Sequence, residues 1–181
     1  MKKGMYFFWI LTLMLGCKEK KKEADKHIDV FSYLKGQMRY IDTVPRALLK
    51  INNPDSNLPD SSYTDIKSVH RLVASFLDNP PNEDAFNDYF KQTVFGDATL
   101  GTITISYQNQ KQEDIFERID VYANPVNGDI RQVYILKKGE DASKEGKQQL
   151  LWTHNKGFSL ITEFKKQDGS DSVLVTKIVW Q

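Results

Sequence analysis

Two hydrophobic periods divide the chain. Between residues 28 and 41, Ile28, Phe31, Leu34, Met38 and Ile41 recur at intervals of three and four, the spacing of one helical face. Val30, Tyr33 and Tyr40 widen that face, Gly36 weakens the helix by about 1 kcal/mol relative to alanine, and Pro45 closes it. Residues 44–51 fit either a strand with Pro45 at its start or a helix continued past a kink. Residues 52–62, NNPDSNLPDSS, are dense in turn formers and predict a loop. Ser62 and Asp65 have the spacing of a capping box ahead of a second helix, with a stripe of Ile66, Val69, Val73, Phe76 and Leu77. Asn79-Pro80-Pro81 ends it, and residues 83–90 form a short amphipathic segment with Phe86 and Phe90 on one side.

The period then falls to two. Residues 100–107, LGTITISY, set Gly101, Ile103, Ile105 and Tyr107 against Thr102, Thr104 and Ser106, the pattern of a half-buried strand. Residues 115–122, 130–136, 149–153, 158–164 and 173–180 follow as further strands. Between them lie Asn127-Gly128, Asn155-Lys156-Gly157 and Asp168-Gly169-Ser170, compact turns of antiparallel hairpins. Helices first and hairpins later predict an α+β fold: N-terminal helices packed on an antiparallel meander of about six strands, with partial curling left open. The 154 residues from Ile28 onward suit one domain, residues 28–181, and show no internal repeat.

The chain ahead of that domain has a different composition. Met1-Lys2-Lys3-Gly4 is cationic, and an apolar run of eleven residues, 5–15, follows with Thr12 as its sole interruption. As a helix the run would rise roughly 16 Å against about 30 Å of bilayer hydrocarbon, too little to span. This is the build of a secretory signal peptide, residues 1–16. Gly16-Cys17 comes next, and Cys17 is the only cysteine in the chain. The stretch MLGC resembles the lipobox of bacterial lipoproteins, with Met14 and Leu15 departing from its commonest residues. The resemblance implies cleavage before Cys17, a diacylglycerol on its sulfur, and a palmitate-like acyl chain on its new amino terminus. Two or more acyl chains anchor stably where one would be marginal. The expected address is the cell envelope, on the outer membrane, with periplasmic and surface faces both open. Residues 17–27 then form the lipidated cysteine and a charged, solvated tether.

Charge narrows the partners. The whole chain carries +1, and without Lys2 and Lys3 it carries −1; the part from Ile28 onward is mildly acidic at −3. A nucleic-acid partner is not expected of such a domain. With Cys17 consumed by lipid, no thiol remains for disulfides, nucleophilic catalysis or metal ligation.

Other chemistry is sparse. The three histidines, His27, His70 and His154, show no zinc spacing, and HExxH is absent. Asp55, Asn57 and Asp60 lack the glycine and final glutamate of a calcium loop. GxSxG, SxxK, GxxxxGK[ST] and GxGxxG are all missing. Glu113, Asp114, Glu117 and Asp120 cluster around one expected strand with Arg118, as a solvated sheet face with cross-strand pairs would. No catalytic residue, metal or cofactor is therefore expected.

Aromatic residues remain. Tyr107, Tyr122, Tyr134, Trp152 and Trp180 fall on expected strands, and a shared face would make them a binding platform. The first functional reading is thus a non-enzymatic accessory or binding domain, tethered to a membrane, that contacts another envelope protein, a peptide or a glycan. The layout resembles small lipoproteins of Gram-negative bacteria, which implies no activity. The second reading is a carrier of a lipid or other apolar small molecule, and the third a hydrolase with a dispersed site.

Overall fold

The structure, a computed structural model, describes residues 27–53, 57–111, 114–139, 146–166 and 168–180. Cys17, the signal segment and most of the tether lie outside the described residues. In chain order the elements are α1 (Val30–Thr43), β1 (Leu48–Asn52), β2 (Asp60–Tyr63), α2 (Ile66–Leu77), α3 (Glu83–Tyr89), β3 (Phe90–Asp97), β4 (Thr102–Asn109), β5 (Phe116–Ala123), β6 (Ile130–Lys138), β7 (Lys147–Thr153), β8 (Gly157–Lys165) and β9 (Asp171–Trp180). The strands form one sheet in the order β2-β1-β9-β8-β7-β6-β5-β4-β3. Every neighbouring pair is antiparallel. β2 and β3 are the two edges and do not pair with each other, so the sheet is open.

The expected layout of helices ahead of a six-stranded meander is overturned. The sheet has nine strands and the helices are short, with 48% of residues in strands against 23% in helices. β1 and β2 lie between α1 and α2 in the chain, and β1 joins the sheet by pairing with β9, Leu48 opposite Trp180 and Asn52 opposite Thr176. That partner lies at the far end of the sequence, beyond any local period. β2 has all four residues exposed, and β3 shows no clean alternation, so neither carried a period-2 signal. Residues 44–51, ambiguous between strand and helix, contain most of β1.

Helix starts follow local chemistry. Asp29 caps α1 by accepting the Ser32 N–H at 2.9 Å, and those bonds to Ser32 hold its carboxyl below the usual range. The cap of α2 is Asp65, whose carboxylate accepts the Ser68 N–H at 2.7 Å, three residues beyond the expected Ser62. Ser62 is instead a β2 residue opposite Lys50.

One buried cluster unites Val30, Leu34 and Met38 of α1 and Val69, Val73 and Phe76 of α2 with alternate residues of the central strands. On β5 and β6 these are Ile119, Val121, Val133 and Ile135, all fully buried. Lys137 continues that buried face, its Nζ donating to the Ser75 carbonyl at 2.8 Å and lying 4.9 Å from the centre of the Phe76 ring. The ammonium therefore ties β6 to α2 by a charge-assisted bond and a cation–π contact.

Candidate functional site

Because strand side chains alternate, burying Ile119 and Val121 turns Arg118, Asp120 and Tyr122 to the opposite face. Register places Asp120 between Ser106 of β4 and Tyr134 of β6, and Tyr122 between Thr104 and Gln132. Asp120 is 2% exposed although it sits on the face away from the main core. A buried carboxylate needs a partner, and Arg118 provides one, its Nε 2.9 Å from each oxygen. The carboxylate beside it pushes the Arg118 pKa up, so the guanidinium stays charged.

Tyr122 and Tyr134 flank this pair half-buried, and burial pushes both phenols up. The polar row continues across the strands. The Tyr134 hydroxyl donates to Gln149 Oε1 at 3.2 Å, and Gln149 Nε2 donates to Glu163 Oε1 at 2.9 Å. One face thus carries hydrogen-bonding groups from β5 to β8, in two sets: Arg118 with Asp120, and Tyr134 with Gln149 and Glu163.

At the end of the sheet the face runs into a cavity of about 900 Å³ that Tyr122 and Gln132 share. Its other walls include Tyr33 of α1, Leu100 and Ile130, together with Arg131, His154 and Lys156 from strand ends and turns. The Tyr33 oxygen lies 2.7 Å from His154 Nδ1, and Asn155 Nδ2 lies 2.9 Å from His154 Nε2. An amide nitrogen only donates, so Nε2 accepts, the ring proton sits on Nδ1, and Tyr33 receives it. The Tyr33 hydroxyl thus accepts from His154 where it lines the cavity. The imidazole's second partner is an amide, so no carboxylate completes a nucleophile, base and acid set.

Burial pushes the Tyr33 phenol up from 10.0 to about 12. A raised acid favours the fold while protonated: this contribution is complete below pH 10 and is lost as pH rises through the folded value near 12. Tyr33→Phe removes the titrating group, so between those limits the variant should lose less stability than wild type in alkaline unfolding monitored by circular dichroism. Equal alkaline losses in the two proteins would count against the buried phenol.

The five aromatic residues expected to form a platform do not share a face. Tyr107, Trp152 and Trp180 are buried in the core. The Tyr107 hydroxyl accepts the Ile28 N–H at 2.9 Å, while Trp152 stacks on Phe158 at 5.3 Å and meets Trp180 at 5.4 Å. Only Tyr122 and Tyr134 lie on the polar face. Sequence reasoning passed over Tyr33, which it took for the flank of a helix, and His154, which it weighed as a metal ligand. The charged group around Arg118 was visible, but not the burial of Asp120. Among the described residues no three His, Asp or Glu side chains gather as a metal would need, and no helix is long and apolar enough to cross a membrane.

No protein-family model matches the chain, no curated protein is significantly similar to it in sequence, and no solved structure is significantly similar to it in fold.

Proposed function

We propose that this chain is a lipid-anchored protein of the bacterial cell envelope whose folded domain binds a polar ligand, a glycan or a peptide, without transforming it. The observation that supports this is the continuity of the polar face with the end cavity. Tyr122, Tyr33, Gln132 and Arg131 line the cavity, and the Arg118–Asp120 pair and Tyr134 lie beside Tyr122 on the adjoining polar face. Its volume, about 900 Å³, falls in the range of small-ligand sites. Sugars and extended peptides are bound in this way, by aromatic faces plus oriented hydrogen bonds.

The test is an array of envelope glycans and peptides probed with the purified protein, then with Tyr122→Ala and Tyr33→Phe. A bound class whose affinity falls about tenfold in each variant supports the reading, the loss expected when one well-placed contact goes. Unchanged binding in both variants would move the site elsewhere. The anchor is tested separately: Cys17→Ser should accumulate as an unlipidated precursor, and acyl chains found on that variant would refute the lipobox assignment.

A second reading, carriage of an apolar molecule, draws on a smaller cavity of about 370 Å³ between α1 and α2, lined by Met38, Val73, Ala74 and Leu77 together with Lys35 and Arg39. Solvent extraction of the purified protein, followed by mass spectrometry, would show a stoichiometric lipid if this reading holds.

A further inference from the structure

An edge strand presents a row of backbone N–H and C=O groups that pairs with any complementary strand, and natural sheets blunt their edges to prevent it. The two edges here are treated differently. β2 is four residues long, follows Pro59 and opens with Asp60. Shortness, proline and charge are all blunting devices. β3, FKQTVFGD, is eight residues long, contains no proline, and carries its charges, Lys91 and Asp97, only near its ends. Near its middle Val94 and Phe95 stand 59% and 66% exposed, one on each face of the sheet. Nothing among the described residues pairs with its outer side.

We propose that β3 pairs antiparallel with β3 of a second copy of this chain, about a two-fold axis at Val94, so that two nine-stranded sheets become one. The charges on the strand select the partner and the register. Residues opposite one another in an antiparallel pair share a face. An axis at Val94 sets Val94 against Val94, Thr93 against Phe95, Gln92 against Gly96 and Lys91 against Asp97. By symmetry the Lys91–Asp97 pair forms twice, once at each end. Moving the axis to Phe95 sets Asp97 against Thr93 and carries Lys91 past the end of the strand. Moving it to Thr93 sets Lys91 against Phe95 and strands Asp97 in the same way. The Val94 axis alone matches both charges.

Asp97 is also held in place for this role. Its Oδ1 accepts the Thr99 and Leu100 N–H groups at 2.9 Å each, which fixes the carboxylate at the end of β3. The space beside its neighbour Gly96 is open, since even a Cβ there would meet nothing within 4 Å. Pairing one strand buries little area, so the dimer forms at high protein concentration and dissociates on dilution. This inference does not rest on the ligand reading, which concerns β5 to β8 and the sheet end.

The test is sedimentation equilibrium of the detergent-solubilised full chain over a concentration series, with hydrogen exchange of the β3 amides. Wild type is expected to pass from monomer to dimer, with β3 amides gaining protection as it does. Val94→Lys and Val94→Glu each place like charges on the axis and should weaken association about tenfold or more. An equimolar mixture of the two should recover it as a heterodimer. A wild type that stays monomeric up to its solubility limit, with no concentration-dependent protection of β3, overturns the proposal. So do variants that associate as wild type does, or a mixture that fails to recover. Because the wild-type series reads the proposal directly, it decides even if a variant folds poorly.

Discussion

Trp152→Ala should lower the unfolding free energy by about 3–5 kcal/mol, a large part of the roughly 5–15 kcal/mol that holds a domain of this size together. Trp152 is the largest fully buried side chain of β7. It stacks on Phe158 with an interplanar angle of 11° and meets Trp180, so its removal opens a cavity where β7, β8 and β9 share their core. One effect opposes the loss. The indole nitrogens of Trp152 and Trp180 are buried without a hydrogen-bond partner, and an unsatisfied buried donor costs about 1–3 kcal/mol. Trp152→Ala removes one such donor, which places the expected loss toward the lower end of the range. Trp152→Phe separates the two contributions. It keeps a ring against Phe158 and removes the donor, so it should cost about 1 kcal/mol or less. Urea unfolding followed by circular dichroism measures both, with the midpoint moving and the slope unchanged. An alanine variant within about 1 kcal/mol of wild type would mean that the site collapses around the lost ring.

Gly157→Ala should be at least as damaging, on the order of 3 kcal/mol or more, although it adds a single methyl group. Gly157 opens β8 opposite Val179 with φ at +150°, a conformation side chains rarely adopt. A Cβ built there would lie 2.1 Å from the Ile178 carbonyl oxygen and 3.2 Å from the Val179 Cα. Those atoms are backbone and cannot rotate away, so β9 must retreat, and with it the Ile178 and Trp180 side chains of the core. Gly36→Ala is the control of opposite sign. Gly36 lies within α1, and a Cβ there would meet nothing within 4 Å. That substitution should raise stability by about 0.5–1 kcal/mol through helix propensity alone. Thermal unfolding of the two variants side by side gives the comparison, and a Gly157→Ala protein melting with wild type would remove the close approach of β8 to β9 from the account.

The segments legible in the sequence share a property: their burial follows from their own period. Ile66, Val69, Val73 and Phe76 mark α2 because a single helical face meets the core. Residues 100–107 mark β4 because Ile103, Ile105 and Tyr107 alternate with polar residues, and Ile105 and Tyr107 reach the core. The segments that escaped are those whose pattern depends on a neighbour elsewhere. β1 is a strand because β9 offers it a ladder, and β2 because β1 then offers another, while all four β2 side chains remain in solvent. β3 carries apolar residues on both faces because it is an edge. Three such strands turn an expected sheet of six into one of nine.

The candidate site divides along the same line. Its residue types were visible, since tyrosines on strands and a charged group around Arg118 can be read directly. Which tyrosines share a face was not visible, because a register and its bulges decide it. Pairing on β5 shifts between Phe116 and Arg118 and shifts back between Tyr122 and Ala123, which changes the phase of residues 118–122 relative to β6. Tyr122 and Tyr134 therefore stand on the polar face while Tyr107 is buried in the core. The meeting of Tyr33 with His154 needs α1 to lie against the turn between β7 and β8, 121 positions along the chain.

By itself the sequence determined the helical faces, six of the strands, the mild acidity of the folded part and the lack of any metal or nucleophile motif, since each of these is a property of residues near one another in the chain. Only the tertiary structure decided the sheet order, the burial of Asp120 beside Arg118 and the cavity at the sheet end. Those depend on which distant strand supplies a segment's missing hydrogen bonds, and that choice minimises unpaired backbone and exposed apolar surface over the whole domain at once.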